Sequence, residues 1–327
     1  MQCSPPSTGA RQTVRRERHD RAFVRVVLAS GLCLIAVFLA TSAQRPTPPA
    51  RWVGAQLHDA RVAVTIAEGG GAPRVVVTEP DQKRQGYSVS VTDIALDISR
   101  HQVYVATCCE PGSGQLRRVE LRVATPRFVS DDQGFRVDVA GKAPIVARTD
   151  TSGTLAVRRS PDSPQELRPQ AGVSDVAIDS TAGTHVVALI QTSRLRAVIP
   201  TVAQRDPAVL VLRWSGDRWT DVSHLLAAKA TYCGLVALSG GAIGLLAGQV
   251  NASTPITCAG DRLDVYNPTT RELRLGAITF PATVRHLSID ETSTFLIVTT
   301  VEGAVRWHTL AGASGSLAPS GFVAADW

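Results

Sequence analysis

A short phrase recurs along the chain and constrains its fold more than any other feature. An apolar run ends in an aspartate, a polar turn follows, and a second apolar run begins. Because an aspartate in this position accepts hydrogen bonds from turn amides, the phrase predicts a hairpin whose second strand is buried. Its strong copies are Ile94–Asp97 leading to Val103–Ala106, Val176–Asp179 leading to Val186–Leu189, and Leu287–Asp290 leading to Phe295–Val298; weaker copies are Val137–Asp138 leading to Pro144–Ala147, and Leu235–Leu238 leading to Ala242–Leu246.

The chain beyond residue 52 is otherwise built of short β-branched runs, such as Arg61–Ile66, Arg74–Thr78 and Val209–Leu212, separated by turn residues. This pattern predicts an all-β domain over residues 55–327. The phrase recurs at roughly 40–60 residues, the range in which β-propeller blades repeat, so we predict a β-propeller of six or seven blades. A two-sheet sandwich array would explain the strands but not the recurring phrase.

An uncharged apolar segment, residues 26–43, precedes this domain. At 1.5 Å rise per residue, about 18 residues span most of a hydrocarbon core of ~30 Å, so we predict a single N-terminal transmembrane helix. The positive-inside bias makes residues 1–25 a basic cytoplasmic tail and places the domain outside, after a proline-rich linker at residues 44–54. The arginines that set this bias are Arg11, Arg15, Arg16, Arg18, Arg21 and Arg25.

Two interpretations of residues 26–43 compete. An uncleaved signal anchor would hold the protein in the cell membrane as a single-pass protein, with its N-terminus in the cytoplasm. A signal peptide cleaved near Thr41–Ala43 would instead release the domain as a secreted protein. The apolar stretch is longer than the usual core of a signal peptide, which favours the anchor.

The formal net charge of +6 does not indicate a nucleic-acid-binding protein. The excess is concentrated in the basic tail, and the remainder of the chain is close to neutral. The sequence shows no basic patch interleaved with aromatic residues. We therefore expect a membrane-associated protein without a nucleic-acid partner.

Four cysteines lie beyond the apolar segment: Cys108, Cys109, Cys233 and Cys258. An even number in an oxidising compartment predicts disulfides. Cys233 and Cys258 flank an apparent hairpin and a loop, so a disulfide between them would cross-link one blade. Cys108 and Cys109 could then form a vicinal bridge, or both could be free or paired elsewhere, because adjacent Cα atoms are closer than the usual disulfide range.

The sequence contains no recognisable catalytic constellation. A G-x-S-x-G elbow, an H-E-x-x-H motif and a phosphate-binding glycine loop are all missing from it. The histidines are scattered singly and are interpreted as surface or internally satisfied side chains. We assign no catalytic, cofactor-binding or metal-binding residue and expect no cofactor. The histidines considered are His58, His101, His185, His224, His286 and His308.

Two segments carry a resemblance to a known family. Residues Asp150–Val157 (DTSGTLAV) resemble the D-x-x-G-x-L-A phrase of TolB-like and related bacterial six- or seven-bladed β-propellers, and Cys108–Gly114 (CCEPGSG) is similar to a segment of exported actinobacterial propeller-like proteins. The resemblance implies a disc with a central channel that is used mainly for binding.

These observations favour a membrane-anchored, extracytoplasmic binding or scaffolding module rather than an enzyme. Its partner would be a protein, a peptide or another cell-envelope ligand, recognised by loops near the channel mouth. An exported propeller enzyme, a hydrolase or a lyase, is the alternative, because such enzymes gather Asp, Glu and His from different blades. A third hypothesis couples an external sensor to a cytoplasmic partner through the basic tail.

Overall fold

The β-branched runs form strands throughout the described part of the chain. Apart from one 3-10 turn at Ser239–Gly241, every element described is a strand, which confirms the all-β prediction. The structure is a computed structural model, and it describes residues 46–58, 61–78, 90–110, 113–134, 136–140, 145–149, 155–158, 166–168, 173–179, 185–191, 209–214, 219–222, 232–251 and 257–327. Residues Pro48–Trp327 form one compact unit.

The strands of the first half form antiparallel four-stranded sheets, or blades. Blade 1 begins with β1 (Arg51–His58), β2 (Arg61–Glu68) and β3 (Arg74–Thr78); blade 2 contains β4 (Ser90–Asp97), β5 (Gln102–Glu110), β6 (Ser113–Glu120) and β7 (Phe128–Gln133); blade 3 contains β8 (Arg136–Ala140), β9 (Ile145–Thr149), β10 (Leu155–Arg158) and β11 (Glu166–Arg168).

The second half continues this arrangement and returns to blade 1. Blade 4 contains β12 (Val173–Asp179), β13 (His185–Gln191), β14 (Val209–Trp214) and β15 (Trp219–Asp221); blade 5 contains β16 (Tyr232–Ala237), β17 (Ile243–Asn251), β18 (Thr257–Asn267) and the first part of β19 (Glu272–Ile289); blade 6 contains the last part of β19, β20 (Phe295–Thr300), β21 (Val305–Thr309) and β22 (Ser314–Ala318); β23 (Phe322–Asp326) completes blade 1.

The innermost strand of each blade faces a common axis. The strands β23, β4, β8, β12, β16 and β19 contact one another in that order, and β19 contacts β23 to complete the circle. The described strands therefore form a six-bladed β-propeller. β19 belongs to two blades, because Val284 is paired with Gly260 of β18 on one side and with Thr300 of β20 on the other.

The ring closes through backbone hydrogen bonds between the two ends of the propeller. β23 pairs with β1 in an antiparallel register that places Ala55 opposite Ala324. Trp52 and Phe322 meet edge to face at a ring-centroid distance of 5.3 Å. Gly54 lies against this pair, and a Cβ atom there would come within 2.5 Å of the Phe322 ring, so only glycine fits the seam.

Apolar side chains fill the spaces between successive blades. Between blades 2 and 3, for example, Tyr104 and Leu116 pack against Val137, and all three are buried. Each blade thus buries both of its faces against its neighbours, which is the arrangement that removes exposed sheet faces in a propeller.

The recurring aspartates occupy the turns that follow inner strands. Asp290 accepts hydrogen bonds from the backbone N–H groups of Thr294 and Phe295, each at 2.7 Å. Asp97 accepts a hydrogen bond from the N–H of Arg100 at 3.0 Å. These contacts confirm the turn role predicted for the phrase. We call the side of the disc that carries these turns the mouth face.

The weaker copies of the phrase match the structure unevenly. Leu235–Leu238 includes the end of inner strand β16, as the pattern predicts. Val137–Asp138 lies in the middle of β8 rather than at a turn, so its assignment as a turn aspartate is wrong. Strand β10 begins at Leu155, and the turn before it joins the second and third strands of blade 3, which explains why Asp150–Val157 does not keep the phase of the strong copies.

The boundaries near the N-terminus are only partly described. β1 begins at Arg51, inside the segment that composition assigned to the linker. Among the described residues there is no helix long and apolar enough to cross a membrane. The predicted crossing, residues 26–43, and the basic tail, residues 1–25, lie outside the described residues.

A matched pair of leucines in blade 5 tests this packing. Leu245 of β17 is fully buried, whereas Leu275 of β19 is 62% exposed. We expect Leu245→Ala to lower the free energy of unfolding by about 2–5 kcal/mol, because it leaves a cavity in a packed core. Leu275→Ala should change it by less than about 0.5 kcal/mol. Urea denaturation of the full chain measures both, and equal effects would contradict the described packing.

Candidate functional site

The side chains that line the central channel come from a longer version of the recurring phrase. The sequences VTDIALD, VSDVAID and VRHLSID begin at Val91, Val173 and Val284 and end at the turn aspartates. Their third residues are Asp93, Asp175 and His286. Each follows a β-bulge in its inner strand. A bulge re-aims the neighbouring side chain, and all three side chains line the channel.

Carboxylates on the inner strands join neighbouring blades. In each case one carboxylate oxygen accepts a hydrogen bond from a backbone N–H of the next inner strand. We call this set the carboxylate belt. The bonds run from Val137 N–H to Asp93 at 2.9 Å, from Ile178 N–H to Asp138 at 2.7 Å, from Leu235 N–H to Asp175 at 2.8 Å and from Leu96 N–H to Asp326 at 2.7 Å.

The remaining two junctions are joined in other ways. Between blades 6 and 1, the hydroxyl of Ser288 donates a hydrogen bond to Asp326. Between blades 5 and 6, Gly234 occupies the position corresponding to Asp93 and offers no carboxylate, and the continuous strand β19 links the two blades instead. Every junction of the ring therefore has a polar or covalent connection.

A histidine–aspartate pair crosses the channel. His286 Nε2 lies 2.5 Å from Asp93 Oδ1, and the two residues belong to blades 6 and 2, on either side of blade 1. Only 7% of the His286 side chain is exposed. Because an ionised carboxylate can only accept a hydrogen bond, Nε2 of His286 carries the proton in this contact. The other ring nitrogen, Nδ1, is buried without a hydrogen-bond partner.

The channel disfavours negative charge. Burial, strengthened by the nearby Asp326, raises the pKa of Asp138 well above its ordinary value. Burial also raises the pKa of Asp175 to about 6, although the neighbouring Arg136 guanidinium opposes the shift. Burial raises the pKa of Asp326 to about 6 against the opposing hydrogen bonds from Ser288 and Leu96. Asp175 and Asp326 are therefore partly protonated in mildly acidic solution.

The channel itself is narrow. Its cavity measures about 80 Å³, and Asp93, Arg136, Asp175, His286 and Ser288 are among its lining residues. At ~10–15 Å³ per water molecule, this is room for a few waters rather than for a large ligand. Arg136 Nε lies 4.0 Å from Asp175 Oδ1, so a basic group already faces this carboxylate.

The chemistry available in the channel is limited. Each belt carboxylate already accepts a hydrogen bond from at least one backbone N–H, which uses part of its acceptor capacity. Within the described ranges, no group of three or more His, Cys, Asp or Glu side chains is arranged to hold a metal ion. The belt hydrogen bonds connect neighbouring blades.

One of the two predicted cysteine pairs lies within the described side chains. Cys233 of β16 and Cys258 of β18 form a disulfide with a Cα–Cα distance of 5.2 Å. The bridge joins the first and third strands of blade 5 across β17. The side chains of Cys108 and Cys109 lie outside the described residues, so their pairing stays a prediction.

Sequence reasoning missed the channel residues although a signal was present. Asp93 and Asp175 each stand four positions before a turn aspartate, and His286 stands four positions before Asp290. A comparison of the three copies over seven residues rather than four would have shown this polar position. The sequence predicts that His286 is a surface or internally satisfied histidine; in the structure it is buried, with Nε2 bonded to Asp93 and Nδ1 without a hydrogen-bond partner.

Comparison with known proteins supports the fold but not a family. No protein-family model matches the sequence. No curated protein matches it either. A chain in the crystal structure of the nidogen/laminin complex aligns with a TM-score of 0.57 at 11% identity, covering 84% of this chain and 97% of that one. TolB from Acinetobacter baumannii aligns with a TM-score of 0.55 at 11% identity, covering 85% of this chain and 65% of TolB.

Both of these neighbours are β-propellers. The present chain spans about 65% of the length of TolB. At this level of identity the likeness establishes the fold alone. The predicted β-propeller, with its TolB-like architecture, is therefore confirmed at the level of the fold.

The raised pKa values predict how stability depends on pH. A carboxylate whose pKa rises from 3.8 in the unfolded chain to about 6 in the fold binds its proton more tightly when folded. Its contribution to stability is full below about pH 4 and is lost as the pH rises through about 6. Between pH 7 and pH 5 we expect the free energy of unfolding to rise by about 1 kcal/mol for each of Asp175 and Asp326.

Chemical denaturation at the two pH values measures this rise. Asp175→Asn should lower the difference in the free energy of unfolding between pH 5 and pH 7 by about 1 kcal/mol, whereas Asp261→Asn, at an exposed position, should leave it unchanged. A pH response that is the same in all three proteins would show that Asp175 is ionised normally in the fold.

A double-mutant cycle tests the pair across the channel. We expect Asp93→Asn and His286→Gln each to destabilise the protein, and their coupling free energy to be about 1.5–3 kcal/mol, since the hydrogen bond is charge-assisted. Thermal denaturation of the two single variants and the double variant gives this value. His58→Gln, at an exposed position, is the control. Additive effects of the two substitutions would contradict the contact.

Proposed function

We propose that this protein is a membrane-anchored, extracytoplasmic β-propeller that binds or scaffolds a protein or peptide partner through its mouth face. The observation that carries the proposal is the carboxylate belt, whose members already bond to the backbone inside a channel of about 80 Å³. Because these carboxylates are already bonded to the backbone and the channel has room for only a few waters, recognition is favoured at the surface around the channel mouth, where binding residues of rigid scaffolds commonly lie.

Three further observations support this proposal. The nidogen/laminin structure shows a neighbour in this fold within a protein–protein complex. The uncharged segment at residues 26–43, preceded by arginines, favours an anchor with the propeller outside. The disulfide between Cys233 and Cys258 is consistent with an oxidising compartment.

The alternative function, an exported hydrolase or lyase, has one observation in its favour. His286 and Asp93 from different blades converge within hydrogen-bond reach, as an acid–base pair would. However, Asp93 also accepts hydrogen bonds from the N–H groups of Ile94 and Val137, at 2.9 Å each. Both Asp93 and His286 are buried. These structural bonds favour the binding module.

The predicted location can be tested on intact cells. We expect a protease added outside the cells to digest the propeller, and mass analysis of the purified protein to find residues 1–25 still attached. Both results follow if residues 26–43 remain in the membrane as an uncleaved anchor. A mature N-terminus near Thr41–Ala43 would instead establish secretion, and a protease-resistant propeller would place the domain inside the cell.

Photo-crosslinking in the same cells tests partner binding. A photoreactive residue at Glu291, on the mouth face, should give a discrete protein adduct. The same residue at Glu302, in the turn on the opposite face, should not. Failure to crosslink from any mouth-face position, together with measurable turnover that Asp93→Asn abolishes, would favour the enzyme.

A further inference from the structure

A second cavity opens on the mouth face, where the inner strands of blades 6, 1, 2 and 3 approach one another. We call it the mouth cavity. Its volume is about 210 Å³. At ~10–15 Å³ per water-sized group, it has room for the end of a long side chain. Asp138, Ile289, Asp290 and Glu291 also border the channel, so the two cavities are adjacent.

Much of the wall of the mouth cavity is apolar. Leu96 and Ile98 contribute from blade 2, Ile289 from blade 6, and Pro49 and Trp327 from the two ends of blade 1. Ile98 lies in a turn and is 39% exposed. The cavity therefore offers an apolar surface to a ligand that enters from the mouth face.

The polar part of the described wall is acidic or neutral. Asp138 and Asp326 line the cavity, and Glu291, which also lines it, is exposed. Among the described residues that line the cavity, none is lysine, arginine or histidine. The channel differs, because there Asp93 meets His286 and Asp175 faces Arg136.

Buried negative charge without a counter-charge is costly. In the mouth cavity, burial and the proximity of Asp326 raise the pKa of Asp138, which is the sign of such a cost. An anion would increase this cost, and an apolar ligand would leave it in place. A cation would reduce it, and a cation on an alkyl chain would also cover the apolar wall.

We infer that the mouth cavity accepts a lysine or arginine side chain from the protein partner of the mouth face. The alkyl stem would pack against Leu96, Ile98 and Ile289. The charged end would lie against the carboxylates of Asp138 and Asp326, where charge-assisted hydrogen bonds are strong. This inference rests on the proposed binding function and names the chemistry of the partner.

Short peptides provide the direct test. The full chain in detergent is titrated with N-acetyl-Gly-Arg-Gly-amide, with its Lys analogue and with a neutral Gln analogue. We expect the Arg and Lys peptides to bind at least ten-fold more tightly than the Gln peptide by isothermal titration calorimetry. Equal binding of the three peptides would overturn the inference, and so would much tighter binding of a free polyamine, which would make the cavity a small-molecule site.

Matched substitutions locate the binding. Ile98→Lys places a cation at the entrance of the cavity and should lower the affinity for the Arg peptide at least ten-fold. The midpoint of thermal unfolding should stay the same or rise. Val301→Lys alters an exposed apolar turn residue on the opposite face and should leave binding unchanged. Glu291→Gln should weaken binding more than Glu302→Gln, since both are exposed but only Glu291 lines the cavity. Equal effects within either pair would overturn the assignment.

The crosslinking experiment separates this inference from the proposed function. If Ile98→Lys abolishes the adduct formed from Glu291 and Val301→Lys preserves it, the partner uses the mouth cavity. If the adduct persists in Ile98→Lys at the wild-type level, the protein is a binding module but the cavity is not its basic-residue site. If no mouth-face position gives an adduct in the wild-type protein, the binding function itself is wrong.

Discussion

The hydrogen bonds between carboxylates of one inner strand and backbone amides of the next hold the ring of blades together at its narrowest point. Inner strands of neighbouring blades do not pair as a sheet, so their backbone N–H groups need other acceptors. Asp93, Asp138, Asp175 and Asp326 supply them. Apolar packing between the blades is broad and non-directional, whereas these bonds fix the height of each blade relative to its neighbour.

The same arrangement explains why the channel is polar and yet tightly filled. Each carboxylate must be buried to reach its amide, and burial disfavours its charge. Basic groups at His286 and Arg136 compensate for part of this cost inside the channel. Among the described residues that line the mouth cavity there is no basic group, so an external cation could compensate for part of the same cost there.

The sequence predicts the fold class well because its evidence is local. A turn aspartate such as Asp97 or Asp290 bonds within its own hairpin, so the phrase that contains it can be read from neighbouring residues. The sequence pattern does not distinguish six blades from seven, because strand β19 belongs to two blades and β23 joins blade 1 from the far end of the chain. Neither feature can be recognised from the pattern of neighbouring residues in the sequence.

The channel residues were harder to predict for a related reason. The partners Asp93 and His286 are separated by 193 positions, and Leu96 and Asp326 by 230. No spacing rule connects residues so distant, and only the circular arrangement brings them together. Asp138 was misassigned for the same reason: it resembles a turn aspartate locally, but its partner is Ile178 of the next blade.

The closure of blade 1 has a practical consequence for handling this protein. Because β1 and β23 are antiparallel, the chain enters the propeller beside the point where it leaves, and Pro49 and Trp327 border the same cavity. A purification tag or fluorescent protein appended after Trp327 would therefore lie beside the mouth cavity and obstruct access to it. Insertion into the turn between β20 and β21, on the other side of the disc, would leave that entrance clear but would disturb the ring closure, because Gly303 in that turn accepts a hydrogen bond from the N–H of Phe322.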